Sequence, residues 1–458
     1  MSNKTLFNTM TISDLIAKIP NEVLFIHKTL KEKGFECFPV GGAIRDLLLG
    51  RKSSDYDLAT NAKPEEVASL FRHVIPTGIK HGTVTILHKD RHYEVTTYRI
   101  EGKYSDNRRP DEIRYASTIQ EDLSRRDFTI NALALDLDNN AIIDLFDGMG
   151  DMERMILRTI GVPDQRFSED ALRMLRACRF ASTLGFHLDH DTKGSITRNA
   201  ELIKNISFER VRDEIIKIMG SPIPSIGLEL LRETGLMAIL LPELLEGYGV
   251  EQNKFHKYDV YYHNIASCDA TAELTDDVDV RLAALFHDIG KPQSMRTSGG
   301  SNTFYNHEVI SYHKAKHIMR RLKFSNTEMY KILLLVRNHM FHFTEEWTDG
   351  AVRRLMRKAD PYLKELFILR EGDRIGSGKK AGNSRIIEQL KVKIAQIIEE
   401  ENALKVKDLA INGTDVMRIK EIEPSRKVGE ILESLLQMVL DDPSLNTKEK
   451  LEELAKKM

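Results

Sequence analysis

Strand-type patterning in this chain stops near Asp151, and almost everything after it repeats at helical spacing. Residues 83–87 and 93–98 alternate or are β-branched, and 35–40 form a short apolar strand running into Gly41-Gly42. Residues 131–137 and 141–146 read as a hairpin around Asp138-Asn139-Asn140, and 13–33 as a helix broken at Pro20. Beyond Asp151, residues 168–184, 208–219, 225–234 and most of 260–458 place apolar side chains at i, i+3 and i+4. This change of period predicts an α+β fold. A small head with a mixed or antiparallel sheet (1–155) precedes an all-α neck (156–250), body (251–380) and tail (381–458). With 458 residues the chain is too long for one core.

Charge narrows the partners less than pattern does. Lys plus Arg is 67 against 69 Asp plus Glu, so no overall basic excess announces nucleic acid. Arginines cluster locally at 108, 109 and 114, at 125 and 126, and at 173, 176 and 179, which is enough to hold phosphates. No apolar run is long enough to span a bilayer, and no signal-like start is present, so a membrane is not expected. Cys37, Cys178 and Cys268 fit neither a disulfide framework nor a C-x-x-C metal pair, and cytoplasm is the expected compartment.

The sharpest constellation is Gly41-Gly42-Ala43-Ile44-Arg45-Asp46 followed by Asp55-Tyr56-Asp57. A glycine pair at a strand-to-helix turn lets backbone N–H groups approach a triphosphate. Asp55 and Asp57, two apart on a strand, would project both carboxylates from one face, with Glu94 as a third. Such oxygens suit Mg²⁺, which clamps attacking and leaving oxygens in phosphoryl transfer.

These residues resemble the polymerase-β-like nucleotidyltransferases, and more specifically the bacterial-type tRNA nucleotidyltransferases, the CCA-adding enzymes and their relatives. The resemblance runs on through His81-Gly82-Thr83, Tyr93-Glu94-Val95, Arg125-Arg126-Asp127-Phe128-Thr129-Ile130-Asn131-Ala132 and Glu169-Asp170-Ala171-Leu172-Arg173-Met174-Leu175-Arg176. It implies that Asp55 and Asp57, supported by Glu94, bind Mg²⁺ and catalyse nucleotidyl transfer. It implies that Gly41, Gly42, Arg45, Arg125, Arg126, Asp127 and Arg176 hold the nucleotide, and that Asp170 and Arg173 choose CTP or ATP. Asp170 and Arg173, three apart on a helix, would share one face and offer acceptor and donors to a base edge. The polar stretch at 98–123 resembles the family's flexible loop, whose absence is typical of enzymes that add only the terminal A. Full C-C-A addition to tRNA from CTP and ATP is therefore expected. An A-adding enzyme and a poly(A) polymerase remain the enzymatic alternatives.

A second motif lies in the body. Phe286-His287-Asp288-Ile289-Gly290-Lys291-Pro292 closes an apolar helix, offering an imidazole and a carboxylate to one metal, with Gly290 as the helix end. With His263, His307, His339 and Asp373 it resembles the HD phosphohydrolases, implying a divalent metal of unspecified identity and a possible hydrolase. A metabolite-binding regulator is the non-enzymatic alternative. Residues 408–415 and 442–448 resemble the tail of tRNA nucleotidyltransferases, but Pro424-Ser425-Arg426-Lys427-Val428-Gly429 departs from its usual Gly-Pro.

Overall fold

The computed structural model describes residues 11–458 apart from 54, 102–112, 253–255, 299–300, 342, 345, 379–384 and 400–404. The loop sequence at 104–111 thus lies outside the described residues, as do parts of the glycine-rich punctuation at 298–301 and 376–382. The chain divides into two compact units, 1–240 and 241–458. Among the described residues no helix is long and apolar enough to cross a membrane.

The first unit is built on a seven-stranded sheet. In chain order the strands are β1 (Cys37–Val40), β2 (Asp57–Thr60), β3 (Val74–Gly78), β4 (Thr83–His88), β5 (Arg91–Thr97), β6 (Arg99–Glu101), β7 (Ile113–Tyr115), β8 (Leu133–Asp136) and β9 (Ala141–Asp144). The main sheet runs β3-β4-β5-β2-β1-β8-β9, and β6 pairs with β7 apart from it. β2 and β5 are parallel while β1 pairs antiparallel with β2 and β8, so the sheet is mixed. Val40 faces Asp57, and Leu58 faces Val95, so Asp57 and Glu94 stand one residue before a matched pair. Leu58 and Val95 are buried. Strand alternation then sends Asp57 and Glu94 to the opposite side.

Two local expectations are corrected. The strand begins at Asp57, so Asp55 precedes it rather than sharing its pleat. The helix expected over 168–184 is in fact two, Pro163–Glu169 and Leu172–Leu184, with Asp170 extended between them at φ −139°. Asp170 and Arg173 therefore do not share a helical face; a carboxylate bonded to the backbone N–H of Leu172 caps the second helix instead. Short strands also recur after Asp151. Ile156–Leu157 pairs with His187–Leu188, and Arg296–Ser298 with Ser301–Thr303. Runs of two or three residues show no readable alternation.

The second unit is helical apart from that last hairpin. The helix Val260–Leu274 packs on Val278–Phe286 and on Leu363–Gly376. The last approach is close because Gly376 has no side chain: a Cβ there would lie 2.3 Å from Ser267 Oγ. The tail has its own core around Leu435, Leu436, Val439 and Leu451, and the unusual 424–429 stretch starts the helix Arg426–Asp441. Gly376→Ala should lower stability by about 1–3 kcal/mol through overpacking. Denaturant unfolding of the variant would show it as a lower midpoint with unchanged slope, and an unchanged midpoint would mean the helices separate freely.

Candidate active site

The first unit holds an open cavity of about 720 Å³ where the glycine turn, the strands β2 and β5 and the helix Leu172–Leu184 converge. Gly41 adopts φ +74°, which favours glycine, and a Cβ there would sit 2.8 Å from Arg126 Nη1. The missing side chain lets the Arg126 guanidinium lie over the turn. Asp55, Asp57 and Glu94 line the carboxylate side of the cavity. Asp57 faces the opening, yet the walls desolvate its carboxylate and raise it to about 6; Arg126 opposes this, and the charges of Asp55 and Glu94 add to it. A site that penalises its own negative charge is short of cations, which is the electrostatic condition a divalent metal would meet. The three do not form a tight ligand cluster of the kind found in the second unit.

Opposite lies a wall of arginines. Arg125 and Arg126 both reach the fully buried Asp122, at 2.7 and 3.3 Å. Arg45 Nη1 donates to Asn131 Oδ1 at 2.5 Å and stacks on Phe180 with Arg176 and Arg179. Asp127 is paired at both oxygens within the protein. Its Oδ1 accepts from Phe128 N and Asn131 Nδ2, at 2.9 and 3.0 Å, and its Oδ2 from Arg176 Nε and Nη2, at 2.8 and 2.6 Å. Burial disfavours this charge, but Arg176 and Asn131 outweigh it and hold Asp127 at about 2. Arg173 donates to Glu169 at 2.6 Å and to the Arg125 carbonyl at 3.0 Å, and Asp170 lines the same cavity.

The second unit brings His263, His287, Asp288, His307, His339 and Asp373 together, all buried. Two three-residue groups, His263–His287–Asp288 and Asp288–His307–His339, share Asp288 and are each compact enough for one metal ion. The tautomers follow from the partners. Nδ1 of His287, His307 and His339 each faces a backbone carbonyl, at 2.7, 2.6 and 2.8 Å, so Nδ1 carries the proton and Nε2 presents a lone pair. The Nε2 atoms pair off: those of His263 and His287 are 3.1 Å apart, and those of His307 and His339 are 3.3 Å apart. Each pair needs a proton or a cation between its two nitrogens. Asp288 Oδ2 lies 3.2 Å from both His263 and His287, and Oδ1 lies 3.1 Å from His307 without an aligned hydrogen bond. Without a cation, Asp288 and Asp373 outweigh the burial of His287 and raise it to about 10, so a proton takes the place on its Nε2 that a metal would otherwise hold, whereas burial lowers His339 to about 4. The donor set fits one or two divalent metals. Gly290 does not end a helix: the helix stops at Phe286, and a Cβ at Gly290 would lie 2.5 Å from the His307 carbonyl. The residue is needed for the close approach of the His307 helix.

Sequence reasoning missed several residues. Asn131, Glu169 and Lys291 lay inside the quoted motifs without a role, and Lys291 is 2.5 Å from Asp288. Arg210, His256 and Arg370 carried no signal beyond their charge, since each reaches its cavity only through the packing of separate elements, and Asp122 lies buried three and four residues before the arginines it pairs with.

Fold and cavity together define a nucleotidyltransferase of the polymerase type, and residues 37–158 match the poly A polymerase head domain model. Residues 185–247 match the RNA and SrmB-binding site of polymerase A, and 304–455 match tRNA nucleotidyltransferase domain 2. The CCA-adding enzyme of Lactiplantibacillus plantarum is 35% identical over 422 residues, covering 91% of this chain and 90% of that protein. The Geobacillus kaustophilus CCA-adding enzyme is 49% identical over 219 residues, 48% of this chain, and the match spans only about half (54%) of that protein's length. The Bacillus stearothermophilus CCA-adding enzyme, solved in complex with CTP, superposes with a TM-score of 0.72 at 30% identity, over 95% of this chain and 96% of that one. The chain belongs to the CCA-adding enzyme family. Membership implies a divalent metal in the head.

Asp127→Asn should cost about 2 kcal/mol at neutral pH, from a carboxylate held at about 2 instead of 3.8. Because the folded value is the lower one, the stabilisation is complete above roughly pH 4 and is lost as pH falls through about 2. Urea titrations at pH 7 and pH 3 should show the two proteins converging in acid. Parallel loss of stability at both pH values would contradict the pairing.

Proposed function

We propose that this protein adds C, C and A to the 3′ end of tRNA from CTP and ATP without a nucleic-acid template. The observation that carries the reading is that Asp55, Asp57 and Glu94 line one cavity with Gly41, Arg125 and Arg126. In this reading Mg²⁺, a hard cation that keeps phosphate oxygens and water among its ligands, is held by Asp55 and Asp57 with Glu94 beside them. The tRNA 3′ hydroxyl attacks the α-phosphorus, the bond to the β-phosphate breaks, and pyrophosphate leaves. Gly41, Gly42, Arg45, Arg126 and Arg176 bind the triphosphate, Asp127 holds Arg176 in place, and Asp170 and Arg173 meet the base. The division into head (1–155), neck (156–250), body (251–380) and tail (381–458) accompanies this reading, with the tail and neck gripping tRNA. Three buried free thiols suit a reducing cytoplasm.

Asp57→Ala should reduce transfer by at least ~10³-fold while tRNA affinity, which rests on phosphate contacts, changes less than about threefold. Two tRNAs, one ending at the discriminator base and one in C-C, are incubated with CTP, ATP or both. Three-nucleotide growth of the first supports C-C-A addition. Extension of the C-C form alone, with ATP, would make this an A-adding enzyme, and long A tails a poly(A) polymerase.

A second reading, that the second unit is an HD-type metal-dependent phosphohydrolase, is favoured by the two compact donor groups, His263–His287–Asp288 and Asp288–His307–His339. There a bound metal would supply an activated water for phosphate-ester hydrolysis. His287→Ala should lose tightly bound metal, measured by mass spectrometry, and hydrolysis of phosphomonoesters and cyclic phosphodiesters, while tRNA extension persists. Unchanged metal content would remove the site; metal without any hydrolysis would make it a regulatory or structural centre.

A further inference from the structure

The motif His81-Gly82-Thr83 has no part in the mechanism above, yet Thr83 lines the cavity. Gly82 turns into β4 at φ +75°, and a Cβ there would lie 3.3 Å from the Tyr115 ring. Thr83 pairs with Thr96 across the β4–β5 ladder, which sets both on one face of the sheet, and their hydroxyl oxygens are 3.0 Å apart. Glu94, two residues before Thr96 and opposite Thr85, shares that face. Thr83, Glu94 and Thr96 all line the cavity, and neither Thr83 nor Thr96 is fully buried. One O–H is spent within the hydroxyl pair, and among the described residues the other has no acceptor. The pair thus offers a donor and free lone pairs together, which is what a ligand hydroxyl requires.

The order of the strands says which hydroxyl this is. β1 ends at the Gly41 turn, β2 opens with Asp57, β5 carries Glu94 and Thr96, and β4 carries Thr83, each strand beside the next. A triphosphate held at the glycine turn lies at one end of this row, the carboxylates come next, and the threonine pair lies beyond them. In-line displacement puts the attacking oxygen on the side of the phosphorus away from the leaving pyrophosphate. The RNA end therefore arrives from the β5–β4 side. Its 3′ hydroxyl must come up to the carboxylates, and the 2′ hydroxyl on the adjacent carbon, both donor and acceptor, falls beside it. We propose that the Thr83–Thr96 hydroxyl pair holds the 2′ hydroxyl of the terminal ribose of the tRNA, so that these two threonines select a ribose end over a deoxyribose end. The inference rests on the reading above that Asp55, Asp57 and Glu94 hold Mg²⁺ for attack by the 3′ hydroxyl.

The test uses the full chain with ATP and two tRNAs ending in C-C, one with ribose and one with 2′-deoxyribose at the last residue. It measures kcat and KM for each tRNA in the unaltered protein, in Thr96→Val, in Thr96→Ser and in Thr83→Val/Thr96→Val. KM for ATP and melting temperature serve as controls. The unaltered protein should prefer the ribose end by about tenfold or more in kcat/KM, because a site built to bond a hydroxyl rejects the analogue without it. Valine keeps the shape of threonine but not the hydroxyl, so the double variant should lose roughly fivefold or more of that preference while its KM for ATP stays within about twofold. Thr96→Ser keeps the hydroxyl and should keep most of the preference. No ribose preference in the unaltered protein, or the full preference in the double variant, would overturn the inference. So would Thr96→Ser losing as much as Thr96→Val, since packing and not the hydroxyl would then be at work. Asp57→Ala separates the two readings: if it abolishes transfer to both tRNAs while the double variant keeps the full preference, the metal reading stands and only the threonine assignment falls. Retained transfer in Asp57→Ala would overturn both. Should the double variant fail to fold, Thr96→Val decides, and an undiminished preference there overturns the proposal.

Discussion

The first unit depends on one buried carboxylate. Asp127 gathers the Phe128 backbone, the Asn131 amide and the Arg176 guanidinium. Asn131 in turn holds Arg45 from the helix after the glycine turn. Three chain segments far apart in sequence, around residues 45, 127–131 and 176, thereby meet around one charge, and all three line the cavity. A charge in such a place is tolerable only when fully paired, so the network is intolerant of partial loss. It also explains the cationic wall, because each arginine is anchored at one end and leaves its remaining surface toward the opening.

The second unit poses the opposite electrostatic problem. Around Asp288, the imidazoles of His287, His307 and His339 are turned so that Nδ1 faces a backbone carbonyl and Nε2 faces inward. This is the orientation in which an imidazole offers Nε2 to a cation. Lys291 at 2.5 Å from Asp288, and Arg370 beside Asp373, supply positive charge from the rim. The two centres of the chain are thus complementary in design: carboxylates facing arginines in one, imidazoles facing a carboxylate in the other.

The active-site motifs were legible because they are local. Gly41-Gly42, Asp57 on its strand, Glu94 on β5 and the Arg125-Arg126-Asp127 run each lie within one short stretch of chain, and the period change near Asp151 separates the main sheet from the helices. What failed was geometry inferred from spacing alone. Asp170 and Arg173 are three apart, yet a helix boundary falls between them. Asp55 and Asp57 are two apart, yet the strand starts only at the second. Caps and strand ends are set by side-chain hydrogen bonds that period counting does not see.

By itself the sequence determined the α+β class and the family of the chain, since period and short motifs are properties of short windows. Tertiary structure alone decided the rest. It tied Asp127 to Arg176 and set Arg210 against Asp170 across a helix interface. It also reassigned Gly290 from helix terminator to the point where another helix passes close. These are contacts between elements tens of residues apart. Which side chains meet there depends on how helices and strands pack, and no local pattern records that.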